Sequence, residues 1–257
     1  MAHATDSPPH VDSARVLVAA RDLGLEFELD RHQRPVTPTL RALRLRRPRD
    51  RVWALRHVDL TFLPGEAVAL VGRSGSGKTS LLRSIAGVVI PDEGKIEVRG
   101  RVRALLSVDA GLVGILSGRE NAELIGVLAG VPRAEMRERL DDVRDQAALG
   151  SAFERPVATY SQGMRARLGF AVGQAAGASV VVLDEVHEAL DHEFRTLIAE
   201  RARDLAAGGG IVVAAGHDHP LLATFCDRAV HLEDGRVVRD GPFDEVVAQY
   251  RAHPKGD

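Results

Sequence analysis

The densest chemistry in this chain lies at Gly72-Arg73-Ser74-Gly75-Ser76-Gly77-Lys78-Thr79, a full match to G-x-x-x-x-G-K-[ST]. Glycines let the backbone wrap closely around a phosphate and aim its N–H groups inward. The run SLLRSIAG that follows carries helical spacing. A helix beginning near Lys78 adds the positive end of its dipole. Lys78 would neutralise β- and γ-phosphates, and Thr79 would offer a hydroxyl to Mg²⁺. A Gly-rich turn with a chance lysine is the competing reading. Placement between the apolar run Ala67–Val71 and a helical stretch opposes it. The spacing predicts that the chain binds a nucleoside triphosphate.

A triphosphate site also needs a carboxylate for the metal and a group to handle water. Val180-Val181-Val182-Leu183-Asp184-Glu185 offers both at the end of an apolar run, where ligands bind in open α/β sheets. Asp184 would hold Mg²⁺ through its water shell, and Glu185 would orient or deprotonate the attacking water. An acidic pair capping the next helix is the alternative. His217 ends a second apolar run, IVVAAGH, and should emerge at the same edge, where an imidazole can contact a γ-phosphate. It could equally be a surface histidine, or join Asp218 and His219 in a metal cluster. No matching ligand set favours the cluster. His219 suits a phosphate contact less, because Pro220 follows it.

These residues need elements to hold them. Arg15–Ala20, Ala67–Val71, Val180–Leu183 and Ile211–Ala215 are short, continuous apolar runs. Such runs suit parallel strands buried on both faces. Glu120–Leu149 instead carries strong helix formers at helical spacing. Strands, a helical block and strands again predict one α/β core with a helical insertion. Residues 1–14 read as a disordered tail. Asp30–Arg51, with Pro35, Pro38 and Pro48, is long for a simple connection, either helical in part or mobile. Within it Arg41, Arg44, Arg46, Arg47, Arg49 and Arg51 form a basic cluster that by composition is a solvated loop with a local positive field.

Composition narrows the classes. The 257 residues carry 34 Lys plus Arg against 36 Asp plus Glu, a net charge of −2 that gives no reason to expect nucleic acid. Seven Phe, two Tyr and one Trp are too few for a base-stacking platform. One cysteine, Cys226, excludes an internal disulfide framework. No apolar run approaches the roughly 20 residues of a membrane span. The chain is therefore expected to be soluble by itself and cytoplasmic.

Tyr160-Ser161-Gln162-Gly163-Met164, 20 residues ahead of Asp184, resembles the signature motif of ABC transporter ATPases. It is the variant with a leading aromatic and a closing Met, found in subunits that energise export of O-antigen, capsular polysaccharide and teichoic acid. Trp53-Ala54-Leu55, Ser117-Gly118-Arg119-Glu120-Asn121 and TYSQGMRARLGFAV are similar to the same subgroup. The resemblance implies a P-loop NTPase (RecA-like) α/β core with a mainly parallel sheet, an antiparallel β-subdomain and a helical insertion at about 115–170. It covers 15–250 as one nucleotide-binding domain, with 251–257 as a tail. It implies ATP at Gly72 to Ser80, including Ser80 itself, with Mg²⁺ at Thr79 and Asp184. Glu185, His217 and Lys78 would serve catalysis.

The same resemblance implies a homodimer in which Ser161, Gln162, Gly163 and Met164 meet the nucleotide of the other subunit, and Asp191 contacts that subunit. It further implies a membrane-embedded permease as partner, at the cytoplasmic face of the membrane. There Arg41 to Arg51 would contact anionic lipid, the alternative to a solvated loop. Phe27 falls where the family stacks an aromatic on adenine; a core Phe on a strand is the alternative. Two departures stand out. Leu106–Leu112 holds no glutamine, where the general pattern has one linking γ-phosphate to the membrane subunit. Gln162 replaces the usual glycine or serine. A soluble ABC ATPase of cofactor assembly or DNA repair is the other functional class, and the charge balance and absent coiled-coil arms disfavour DNA repair.

Overall fold

The computed structural model describes residues 17–29, 50–105, 111–184 and 192–252. In chain order they form β1 (Leu17–Leu29), β2 (Asp50–Phe62), β3 (Ala67–Val71), α1 (Lys78–Ile85), β4 (Glu93–Arg99) and β5 (Val102–Leu105). The helices α2 (Gly118–Leu128), α3 (Arg133–Glu138), α4 (Leu140–Gln146) and α5 (Gln162–Ala175) follow. The chain then returns through β6 (Val180–Asp184), α6 (His192–Ala207), β7 (Ile211–Ala215), α7 (His219–Leu222), β8 (Arg228–Glu233), β9 (Arg236–Pro242) and α8 (Phe243–Ala252). A six-stranded sheet runs β5-β6-β7-β3-β8-β9, parallel except for β9. A separate antiparallel sheet runs β2-β1-β4. This is the mainly parallel core, antiparallel subdomain and inserted helical block that the resemblance implied.

The apolar runs explain the layering. Along β3 every residue is buried, but alternate residues enter different cores. Val68 and Leu70 pack toward the antiparallel sheet and α1, against Leu55, Phe62, Leu81 and Leu82. Ala67, Ala69 and Val71 pack toward α6 and α8, against Ala199, Ala202 and Val246. A strand covered on both faces needs apolar residues at both parities. Full burial of Leu81, Leu82 and Ile85 stabilises α1 on the sheet by about 1.5–3 kcal/mol each. The helical block has its own core, centred on Ile125, Met136, Phe153, Tyr160 and Leu168.

Three expectations need correction. Leu17–Ala20 does not join the parallel sheet; it opens a 13-residue antiparallel strand. The apolar run continues into RDLGLEFEL, where Leu23 and Leu25 are buried and Arg21, Asp22 and Glu28 are exposed, the pattern of a sheet wet on one face. Asp50 and Arg51, expected in the long connection, instead begin β2. Arg51 lies 3.2 Å from Glu26 and 3.9 Å from Glu28, so it is an ion-paired strand residue. Arg251 and Ala252, expected in a tail, close α8. Residues 30–49, which hold the other five arginines of the basic cluster, lie outside the described residues.

Candidate nucleotide-binding site

The loop after β3 is shaped by its glycines. Gly72 has φ +149°, and a Cβ there would stand 2.3 Å from the Leu232 carbonyl oxygen. Gly77 has φ +104°, and its Cβ would stand 2.5 Å from the Ala54 carbonyl oxygen. No side chain fits at either position, so the loop pulls tight between β2 and β8. Lys78 then opens α1 and is buried, its Nζ donating to the carbonyls of Gly72 at 2.7 Å and Arg73 at 2.9 Å. The ammonium thus holds the loop in a curl around itself. Ser76 Oγ is buried and meets no hydrogen-bond partner, while Arg73, Ser74 and Gly75 face solvent. Thr79 and Ser80 sit half-buried in the first turn of α1.

A buried ammonium, an orphaned hydroxyl and a helix N-terminus converging on one loop fit a phosphate chain. Arg73 to Ser76 also border a cleft of about 680 Å³ whose far wall includes His231, Glu233, Arg239 and Tyr250. Residues outside the motif brace the loop. Gly235 N donates to Ser76 O at 3.1 Å, and Arg56 N donates to Gly235 O at 2.8 Å. The Asp234-Gly235 turn of the β8–β9 hairpin, with φ +49° and +74°, is wedged between β2 and the loop. Sequence reasoning passed over it, although Asp-Gly between two apolar runs is a hairpin signal.

Asp184 ends β6 buried, in register with Ala215 at the end of β7. Because β6, β7 and β3 are adjacent and parallel, Asp184, His217 and Gly72 leave the sheet at one edge. His217 is exposed. Its neighbours have other tasks. Asp218 caps α7 by accepting from Leu221 N at 3.0 Å and pairs with Arg195 at 3.1 Å. His219 is buried, edge-on to Tyr250, with Nδ1 3.2 Å from an Arg251 nitrogen. Asp218 and His219 therefore face different partners. Glu185 and Asp191 lie outside the described residues, as do Leu106–Ala110.

Ser161 caps α5, its hydroxyl accepting from Met164 N at 3.2 Å. Ser161 and Gln162 are exposed; Gly163 and Met164 are half-buried. Among the described residues nothing requires glycine at 163: its φ is ordinary and an added Cβ would meet only Ser161 Oγ, at 4.0 Å. Tyr160 in contrast is structural. Its hydroxyl donates to Ala152 O at 2.7 Å, and Gly118 packs so close that a Cβ would stand 2.3 Å from it.

The Ser117–Asn121 stretch is a folded knot. Ser117 and Glu120 form a reciprocal capping box on α2. Asn121, fully buried, accepts from Val113 N at 2.7 Å and donates to the carbonyls of Val113, Leu116 and Ser117. Asn121→Ala should strip these bonds and strand the Val113 N–H, at a cost of about 2–4 kcal/mol. The melting temperature of the variant, followed by circular dichroism, should then fall by roughly 5–15 °C.

Beside this geometry, the family model described as ABC transporter matches residues 55–188, from β2 through the buried Asp184 and the exposed cap at Ser161. The chain belongs to the ABC transporter family. It is 36% identical over 82% of its length to the O-antigen export system ATP-binding protein RfbB of Myxococcus xanthus, covering 48% of that protein. It is 36% identical over 79% of its length to the teichoic acids export ATP-binding protein TagH of Bacillus cereus, covering 37% of it. The chain thus spans half or less of these relatives, but 80% of an O-antigen export system ATP-binding protein RfbB of Klebsiella pneumoniae, to which it is 32% identical. Among solved structures, a dimeric ATP-binding cassette in a post-hydrolysis state bound to ADP and Pi has the same fold. Its TM-score is 0.73 at 21% identity, over 88% of this chain and 98% of that one.

For Phe27 the core alternative falls in this ABC chain. Phe27 is not in the core: it is 39% exposed on β1, across from Val52, which is 45% exposed. Its neighbour in the ladder, Glu26, pairs with Trp53, and the next residue along β2, Ala54, abuts Gly77 of the loop. No helix among the described residues is long and apolar enough to cross a membrane.

Proposed function

We propose that this chain is an ATP-hydrolysing subunit that works as a homodimer and powers a membrane-embedded permease in exporting a lipid-linked polysaccharide or teichoic-acid-like glycan. The observation that carries the reading is the pairing of a glycine-curled loop with an exposed helix cap whose Gly163 nothing among the described residues requires. A second copy's nucleotide supplies the reason, since a side chain at 163 would stand between Ser161 and an incoming phosphate. One nucleotide-binding domain spans 15–252, closed by α8. ATP occupies Gly72 to Ser80, with its adenine on Phe27. Thr79 and Asp184 hold Mg²⁺, which when bound neutralises developing charge on the phosphates. Lys78 and the loop N–H groups stabilise the same charge, Glu185 orients water, and His217 contacts the γ-phosphate.

The relatives named for O-antigen and teichoic acid export support the glycan as cargo and the cytoplasmic face of the membrane as the subunit's position. Leu124, Val127 and Leu128 are exposed at i, i+3 and i+4 on α2, an apolar stripe that suits a permease segment. Asp191 contacts the second copy. The arginines between 41 and 49, with Arg51 already paired to Glu26 and Glu28, bring positive charge for anionic lipid. Purified protein should release phosphate from ATP in the presence of Mg²⁺ and stop when EDTA removes it; steady hydrolysis in EDTA overturns the metal assignment. Deleting the coding sequence should strand the glycan inside the cell. Unchanged surface glycan in the deletion strain overturns the export reading.

A further inference from the structure

The glutamine missing from Leu106–Leu112 leaves open what ties the helical block to the sheet, and the edge strand β5 holds an unusual residue. Arg103 points from β5 into the side of α5. Its Nη2 donates to the Gly169 carbonyl at 3.4 Å, and its Nε is buried without a hydrogen-bond partner. The stem lies where a side chain of α5 would be. A Cβ at Gly173 would stand 2.7 Å from Arg103 Cγ and 3.4 Å from Cδ and Nε. Burial holds the guanidinium below the ordinary arginine pKa.

Two parts of this arrangement cost stability. Glycine is the poorest helix residue after proline, and α5 holds two of them one turn apart. A half-buried cation whose Nε is buried and idle adds to that cost. A joint built for stability alone would fill the groove with methyl groups. Local rules broken together in this way mark places where function is served. The topology says which function. The chain enters the helical block from β5 and leaves it through α5 into β6, and Arg103 and Val181 are register partners across those two strands. Arg103 therefore spans the two crossings on which the block hangs. Along the rest of α5, Ala166 and Phe170 pack into the sheet core and Leu168, Ala171 and Val172 into the core of the helical block, while at its far end Arg101 donates to Ala176 O at 3.3 Å and Arg139 to Ala175 O.

We infer that Arg103 is a positioning residue for hydrolysis, a pin between β5 and α5 that sets where Ser161 to Met164 stand relative to the sheet bearing Lys78 and Asp184. Gly169 lies eight residues from Ser161, so about 12 Å of helix forms the lever. A tilt of about 5° about the pin moves the cap by about 1 Å, a misplacement large enough to slow chemistry severalfold or more. The inference rests on the reading above that the Ser161 cap meets the nucleotide of a second copy.

Three variants test it: Arg103→Ala, Arg103→Lys, and Arg103→Ala combined with Gly173→Ala, which refills the groove with a methyl group. Arg103→Ala should lower kcat about tenfold while trinitrophenyl-ATP binds the loop as tightly as before. The refilled variant should recover its melting temperature but not kcat, and Arg103→Lys should recover part of kcat. If the refilled variant regains kcat together with its melting temperature, Arg103 only fills space and the inference fails. It fails too if Arg103→Ala turns over at the parent rate. Ser161→Arg, assayed alongside, keeps the two readings apart: full hydrolysis by that variant rejects the cap assignment itself, whatever Arg103 does.

Discussion

Lys78→Ala should lose at least roughly 100-fold in ATP turnover, the usual cost of removing one preorganised donor from a developing oxyanion. Two losses compound in it. The β- and γ-phosphates lose their cation, and the loop loses the ammonium that gathers the Gly72 and Arg73 carbonyls at 2.7 and 2.9 Å. Those carbonyls then face the phosphates with no positive charge between. Triphosphate binding should weaken along with turnover, read by equilibrium binding of trinitrophenyl-ATP. Glu185→Gln should do the opposite to binding. It keeps the loop and Lys78 intact and removes only the carboxylate expected to orient water. ATP should therefore bind and stay, and the protein should shift to a dimer in size-exclusion chromatography when ATP is present. A Glu185→Gln protein that hydrolyses at the parent rate rejects the assignment of that carboxylate. Parent-like binding by Lys78→Ala rejects the loop as the phosphate site.

Mixing two dead subunits should restore activity. Ser161→Arg places a long cation at the exposed cap of α5, and Lys78→Ala empties the phosphate loop, so neither homodimer should turn over. In a mixed dimer the two lesions fall on one composite site. The other site combines an intact Lys78 from one subunit with an intact Ser161 from its partner. Equal mixing gives half mixed dimers with one good site each, so the recovered rate has a ceiling of about one quarter of the parent. Steady-state phosphate release across a series of mixing ratios should peak near equality. A flat, inactive series would mean that the cap does not act on the other subunit's nucleotide. Recovery depends on the exposure of Ser161 and Gln162, and on the space above Gly163.

Parts of this were legible in the chain itself. Glycines at 72, 75 and 77 followed by Lys78 specify a tightly curled loop because only that backbone readily reaches φ of +149°, +80° and +104° within six residues. The runs at Ala67–Val71, Val180–Leu183 and Ile211–Ala215 specify strands buried on both faces because apolar residues stand at both parities. They also place Asp184 and His217 at one sheet edge, since parallel neighbours end together. The motif order adds the helical block between β5 and β6.

Other features belong to the tertiary structure because they depend on residues far apart in sequence. Whether Leu17–Leu29 joins the parallel or the antiparallel sheet turns on its pairing with Asp50–Phe62 and Glu93–Arg99, across gaps that local pattern does not span. Phe27 reads as core or surface by hydrophobicity alone; its exposure follows from which face of β1 the sheet covers. Tyr160 reads as part of a signature, yet its place is fixed by Gly118 and Ala152. The Asp234-Gly235 turn reads as a hairpin, and only its hydrogen bonds to Ser76 and Arg56 make it a brace for the Gly72–Thr79 loop. Sequence spacing sets what a segment can do with its own backbone and its near neighbours. Which distant backbone closes the Gly72 and Gly77 positions, and which helix receives Arg103, is decided by the packing of layers.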